Sequence, residues 1–131
     1  MIYIAIMSAV SGEDLALVEQ RIISAGGNAF LQKPVSTGVV RQMVAYHCPS
    51  GRSVLLAEDN GSVRESLVLT LTSKEYRVIA CEDGRVALET YEQRASEIGL
   101  VLSDLQMPEL DGLELLQGIR AFEKKYTNLK V

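Results

Sequence analysis

The chain has 131 residues, 47% of them hydrophobic and 23% charged, which suits one globular domain with its own core and excludes a mainly disordered tail. A net charge of −4 with no basic cluster leaves no electrostatic footprint for nucleic acid or for an acidic membrane surface, and argues against direct nucleic-acid binding. The two cysteines, Cys48 and Cys81, are too few for a stapled secreted framework and lack the spacing of a zinc site, so both are read as reduced thiols of a cytoplasmic protein.

The first apolar run, Ile2 to Met7, has no basic leader and is too short to span a bilayer, so it reads as a buried strand. A helix is expected over Glu13 to Ala25, with Leu15, Val18, Ile22 and Ile23 near one face, Ser11 and Asp14 spaced as a capping box, and Gly26 as its stop. A second strand, Ala29 to Leu31, is closed by Lys33-Pro34. The next helix, Thr37 to about Tyr46, is capped by Ser36 and buries Val40, Met43 and Val44. His47, the sole histidine, is read as a helix-end residue rather than a catalytic base. A Pro/Gly-containing stretch, Cys48-Pro49-Ser50-Gly51-Arg52, is the one linker candidate.

Val54 to Ala57 reads as a third strand and is closed by Glu58-Asp59. The helix after Asn60 uses Val63, Leu67 and Leu71. Tyr76 to Cys81 is a strand, and Asp83 caps a helix over Arg85 to Gln93. The last strand, Leu100 to Ser103, runs into Ser103-Asp104-Leu105-Gln106-Met107-Pro108-Glu109-Leu110-Asp111-Gly112, a sharp turn that opens a helix with Leu113, Leu116, Ile119 and Phe122 inward. Asp111 is its N-cap, and Gly112 permits the close turn. Continuously apolar strands alternating with helices imply an α/β fold with a doubly wound parallel sheet, covered on both faces and joined by right-handed crossovers.

Taken singly, the polar residues at the strand ends carry little. Glu58-Asp59 alone reads as a solvated pair before a helix, Lys33 as a surface lysine, Ser8 as a loop hydroxyl and Phe30 as plain core. Asp104 differs, because Met-Pro-x-x-Asp-Gly after a buried strand is a specific context. Taken together, Glu58-Asp59, Asp104 with its turn, and Lys33-Pro34 resemble the receiver domain of two-component response regulators. Their order departs from that family, in which the acidic pair comes first and the Lys-Pro last. The chain therefore looks like a circularly permuted, flavodoxin-like receiver with a five-stranded sheet. Residues 1–131 form one domain in this reading: 1–47 correspond to the usual C-terminal part, 48–52 to the junction and 53–131 to the usual N-terminal part.

The resemblance implies that Glu58, Asp59, Asp104, Ser8 and Lys33 emerge at one sheet edge, where open α/β sheets bind ligands. Clustered carboxylates repel, and a divalent cation resolves the conflict; Mg2+ suits hard oxygen ligands and phosphate. It implies Asp59 and Asp104 as direct ligands, Glu58 acting through water, and the backbone carbonyl of Gln106 completing the set. Glu58 stands where Asp is the commoner residue. Asp104 is the implied phosphoacceptor, receiving a phosphoryl group from a phosphohistidine on a sensor histidine kinase or histidine phosphotransfer protein. Lys33, aimed inward by a cis bond to Pro34, and Ser8 neutralise and hydrogen-bond the phosphoryl oxygens. Ser8 and Phe30 form the switch; Phe30 replaces a frequent Tyr, so no phenolic hydrogen bond holds its inward state. Such a domain is a cytoplasmic phosphorelay component rather than a turnover enzyme.

Other readings follow from the same residues. The chain could straddle two tandem receivers of a hybrid kinase, or be a receiver-like interaction module that is not phosphorylated. A different flavodoxin-like enzyme or flavin binder is disfavoured, because no glycine-rich or hydroxyl-rich phosphate loop follows any strand. A monomer or a weak, domain-swapped dimer is expected, with no membrane insertion.

Overall fold

A strand covered on both faces needs apolar residues at every position rather than at alternate ones. Residues 54–57 meet that demand, and the whole strand Ser53–Ala57, its opening serine included, is buried. In a computed structural model, which describes residues 1–12, 14–49 and 51–129, strands and helices alternate: β1 (Tyr3–Ser8), α1 (Asp14–Ser24), β2 (Ala29–Gln32), α2 (Thr37–His47), β3 (Ser53–Ala57), α3 (Gly61–Thr72), β4 (Arg77–Cys81), α4 (Gly84–Arg94), β5 (Ile98–Asp104) and α5 (Gly112–Leu129). The strands form one sheet in the order β2-β1-β5-β3-β4, with every pairing parallel. Counted from β3 as the first strand, this order is the flavodoxin-like 2-1-3-4-5, whose switch point falls between β3 and β5.

One core layer packs Ile4, Ile6 and Leu55 against Ile22 of α1, Tyr91 of α4 and Leu115, Leu116 and Ile119 of α5. The other sets Ala5, Met7, Val54 and Leu56 against Val40 and Val44 of α2 and Leu67 and Leu71 of α3. The fully buried Leu and Ile side chains each contribute about 1.5–3 kcal/mol relative to exposure. Helix starts are fixed by side-chain caps. Ser36, Asn60 and Asp83 accept the N–H of Val39, Val63 and Val86 at 3.3, 3.0 and 2.8 Å. Asp111 and Glu114 cap reciprocally at 2.8 and 3.0 Å, satisfying two backbone donors at the start of α5.

Two expectations change. α1 begins at Asp14, too late for Ser11 to be its N-cap, and Glu13 lies outside the described residues. Ile23 is 50% exposed, so the buried stripe of α1 is narrower than its hydropathy predicts. No helix among the described residues is long and apolar enough to cross a membrane.

Between α2 and β3 the chain turns through Gly51 at φ +86, with the Arg52 N–H on the Pro49 carbonyl at 3.4 Å. Only these few residues, of which Ser50 lies outside the described set, join the β1–α2 segment to the β3–α5 segment. The two segments pair edge to edge through β1 and β5, with Met7 beside Asp104. Arg120 on α5 fastens them at the opposite pole. Its guanidinium donates to the carbonyls of Gly26 and Ile2 at 2.8 Å, to Asn28 Oδ1 at 2.9 Å and to Glu123 Oε1 at 2.6 Å, while Glu123 Oε2 accepts the Ile2 N–H at 2.6 Å.

Candidate functional site

The carboxyl ends of four parallel strands converge beside the switch point. Pairing of Ala57 with Ser103 and of Met7 with Asp104 brings the residues just past β3, the end of β5 and the end of β1 to one height. Ser8 ends β1, and its carbonyl accepts the Lys33 N–H at 2.8 Å, which places Lys33 beyond β2. The Lys33–Pro34 bond is cis.

Glu58, Asp59 and Asp104 each offer a carboxylate oxygen, and these oxygens lie within 4.8 Å of one another. Glu58 is fully buried at 0% exposure and Asp104 nearly so at 7%, whereas Asp59 faces solvent. The Lys33 ammonium lies 2.8 Å from Glu58 Oε1 and 3.2 Å from Asp104 Oδ2. Partial burial works to lower the lysine's pKa, but its hydrogen bonds and charge attraction to Glu58 and Asp104 outweigh that, and the pKa is raised. Lys33 therefore stays charged at neutral pH and offsets the repulsion within the acidic group.

The main chain of the acidic pair is also held. Glu58 Oε2 accepts the Asn60 N–H at 3.2 Å, and Arg64, one turn into α3, donates to the Glu58 carbonyl at 2.8 Å. Neither contact stands out in the sequence: Asn60 reads only as a cap and Arg64 as a surface charge. Glu58, to which the resemblance gives a role through water, grips Lys33 directly at 2.8 Å, a reach that the extra methylene of Glu over Asp assists.

After Asp104 the chain turns sharply. The Leu105 N–H donates to the Met7 carbonyl and the Gly112 N–H to the Leu105 carbonyl, both at 2.7 Å. A Cβ on Gly112 would collide with the Asp104 carbonyl oxygen and lie 2.9 Å from Leu105 Cα, so this close approach needs glycine. Gln106 lies exposed in the turn. Ser8 is buried, and its Oγ accepts the Val10 N–H at 3.1 Å. Phe30 is half-buried on β2 opposite Ile6; strand alternation puts it on the same sheet face as Ser8, one pleat from the site. His47 ends α2 and stacks on Tyr3 with ring centroids 3.9 Å apart, at the far pole.

The donor set fits a hard divalent cation. It comprises carboxylates from two strand ends, one of them exposed enough to leave water positions open. Among the described residues no other such cluster of three occurs.

The family model described as the response regulator receiver domain matches residues 54–131. The chain belongs to that family. This receiver is 35% identical over 80 residues to the CAI-1 autoinducer sensor kinase/phosphatase CqsS of Vibrio cholerae, covering 61% of the chain and 11% of that protein. It is 43% identical over 68 residues to the sensor kinase CckA of Brucella abortus, covering 52% and 7%, and 42% identical over 72 residues to the transcriptional activator protein PfeR of Pseudomonas aeruginosa, covering 55% and 23%. The chain thus spans less than a quarter of each of these relatives. No solved structure matches it. Glu58, Asp59, Asp104 and Gln106 lie inside the family match, and Ser8, Phe30 and Lys33 outside it.

Proposed function

We propose that this receiver accepts a phosphoryl group on Asp104 in a two-component phosphorelay, with residues 1–47 supplying the part of the site that an ordinary receiver carries at its C-terminal end. The observation that carries the reading is the Lys33 ammonium 3.2 Å from Asp104 Oδ2, within a group of carboxylates whose oxygens lie within 4.8 Å. A lone acidic turn would not bring a cation from a distant strand to the same oxygen. The strand order counted from β3, together with a family match beginning at residue 54, supports a circularly permuted domain with 48–52 as its junction.

The reaction is an in-line displacement. An Asp104 oxygen attacks phosphorus on a phosphohistidine of a sensor kinase or phosphotransfer protein. The O–P bond forms as the P–N bond breaks, the electron pair leaves with the imidazole nitrogen, and that nitrogen takes a proton from solvent. Asp59, Asp104 and the Gln106 carbonyl, with Glu58 through water, would hold Mg2+, which would supply charge neutralisation for the phosphoryl oxygens. Lys33 supplies a second positive charge from the protein itself, and the Ser8 hydroxyl turns from the Val10 amide to donate to a phosphoryl oxygen. The donor has an open approach: a groove of 590 Å3, lined by Met7, Pro34, Val63 and Leu67, adjoins Lys33.

Movement of Ser8 frees space on the sheet face it shares with Phe30, and the ring's inward shift carries the signal to the surface around α1 as a population shift. The domain works at the cytoplasmic side as a phosphoacceptor switch rather than as a turnover enzyme. The test is incubation with acetyl phosphate and Mg2+, read by intact mass. One phosphoryl adduct is expected for the wild type and none for Asp104→Asn; a wild type that gains no adduct overturns the reading. Mixing Lys33→Ala with Asp104→Asn chains tests the intramolecular site: a permuted monomer gives no more adduct in the mixture than Lys33→Ala gives alone, whereas chains that exchange segments gain more.

A further inference from the structure

The turn after Asp104 meets the first turn of α4 at a contact with no room for a side chain. Gly84 opens α4 and is buried. A Cβ there would collide with the Leu110 carbonyl oxygen and lie 2.8 Å from the Leu110 carbonyl carbon. These are backbone atoms, so they cannot swing aside as a flexible side chain would. The same short segment reaches the acidic pair from its other end, because the Cys81 carbonyl accepts the Glu58 N–H at 3.1 Å. Residues 81–84 therefore touch both the main chain of the acidic pair and the acceptor turn.

The turn itself is tightly tied. The Leu110 N–H donates to the Pro108 carbonyl at 2.8 Å and the Gly112 N–H to the Leu105 carbonyl at 2.7 Å, and Glu109 sits at φ +67, a conformation that L side chains seldom adopt. These bonds tie Leu110 and Gly112 back to Pro108 and Leu105, which flank Gln106 on either side. We infer that Gly84 is a positioning residue: its missing side chain lets α4 seat the acceptor turn at the height where the Gln106 carbonyl and the carboxylates of Glu58, Asp59 and Asp104 face one cation. The Asp83 cap, 2.8 Å from the Val86 N–H, fixes that first helical turn and so the position of Gly84.

This inference rests on the metal-assisted phosphoacceptor reading, and the experiment separates the two. Mg2+ is titrated into the full chain and followed by the backbone NMR signals of Asp59 and Gln106, without phosphorylation. Gly84→Ala is expected to raise the half-saturating Mg2+ concentration on the order of tenfold, the effect of displacing a group that supports metal ligands. The rate of adduct formation at saturating Mg2+ stays within about threefold, since Asp104 and Lys33 are untouched. In metal-free spectra the signals of residues 105–111 shift, while those of β1 hold their places. A purely structural role would lower the urea midpoint and leave Mg2+ affinity unchanged.

A wild type without Mg2+ shifts defeats the site reading itself; a wild type that titrates beside an unchanged Gly84→Ala defeats this inference alone. If Gly84→Ala does not fold, Asp83→Ala loosens the same bracket without a clash and should weaken Mg2+ binding in the same direction. Asp83→Asn, which loses the charge and keeps a capping oxygen, should restore it. Wild-type affinity in Asp83→Ala then overturns the inference.

Discussion

Replacing Lys33 with Met keeps most of the side chain and removes its charge. Glu58, at 0% exposure, would keep the Asn60 N–H at 3.2 Å, and the acidic oxygens would remain within 4.8 Å of each other without the ammonium that touches two of those carboxylates. Breaking a fully buried pair costs about 3–5 kcal/mol, and an exposed one less than about 1. The Lys33 side chain is 23% exposed while that of Glu58 is fully enclosed, which places the loss between these limits, at about 2 kcal/mol. For a domain of this length that is a fall in Tm of roughly 6–8 °C. The assay is thermal and urea unfolding by circular dichroism in EDTA. Adding Glu58→Gln should return about 1–2 kcal/mol of coupling, because a neutral amide needs no cation. Mg2+ should also restore stability by binding only the folded state. If Lys33→Met unfolds with the wild type in EDTA, or Glu58→Gln deepens the loss, the ion pair does not hold this pocket together.

Stability should fall as pH rises above about 9, because burial raises the Cys48 and Cys81 thiols, carboxylate contacts raise Lys33, and burial pushes Tyr91 up to about 12. Each group keeps its proton when folded at a pH where the unfolded chain has lost it, so deprotonation favours unfolding; urea midpoints at pH 7, 9 and 10 should fall in that order. Both buried thiols should resist a thiol reagent at neutral pH in the native state and react together once urea unfolds the chain. Arg120→Met removes the donors that hold Ile2, Gly26 and Asn28 to α5, and should cost about 1.5–3 kcal/mol, the worth of a hydrogen bond to a charged group. Its mark should be faster hydrogen exchange at the start of β1 than in β3; uniform exchange across both strands would refute that role.

The fold was legible because its strands carry continuous apolar runs and its helix starts carry Ser36, Asn60, Asp83 and Asp111. These are local signals, and local signals survive any reordering of segments. Glu58, Asp59, Asp104 and Lys33 could be paired only through the family's strand order, since no spacing along the chain puts residue 33 beside residue 104. What escaped the sequence was tertiary. Arg64 and Arg120 look like ordinary surface charges until the carbonyls they serve are in place. The exposure of Ile23 depends on how wide a stripe the sheet covers. Gly84 looks like the start of any helix, and only the approach of Leu110 shows why a side chain would not fit.

The turn through Gly51 has a practical corollary. The free cysteines form no crosslink, so a single cleavage there would divide the molecule into one piece carrying Ser8 and Lys33 and another carrying Glu58, Asp59 and Asp104. Neither piece holds a complete pocket, and each exposes the strand edge that the other covers. Labelling of Asp104 would then count reassembled pairs, making the cut protein a split reporter whose signal tracks fragment affinity.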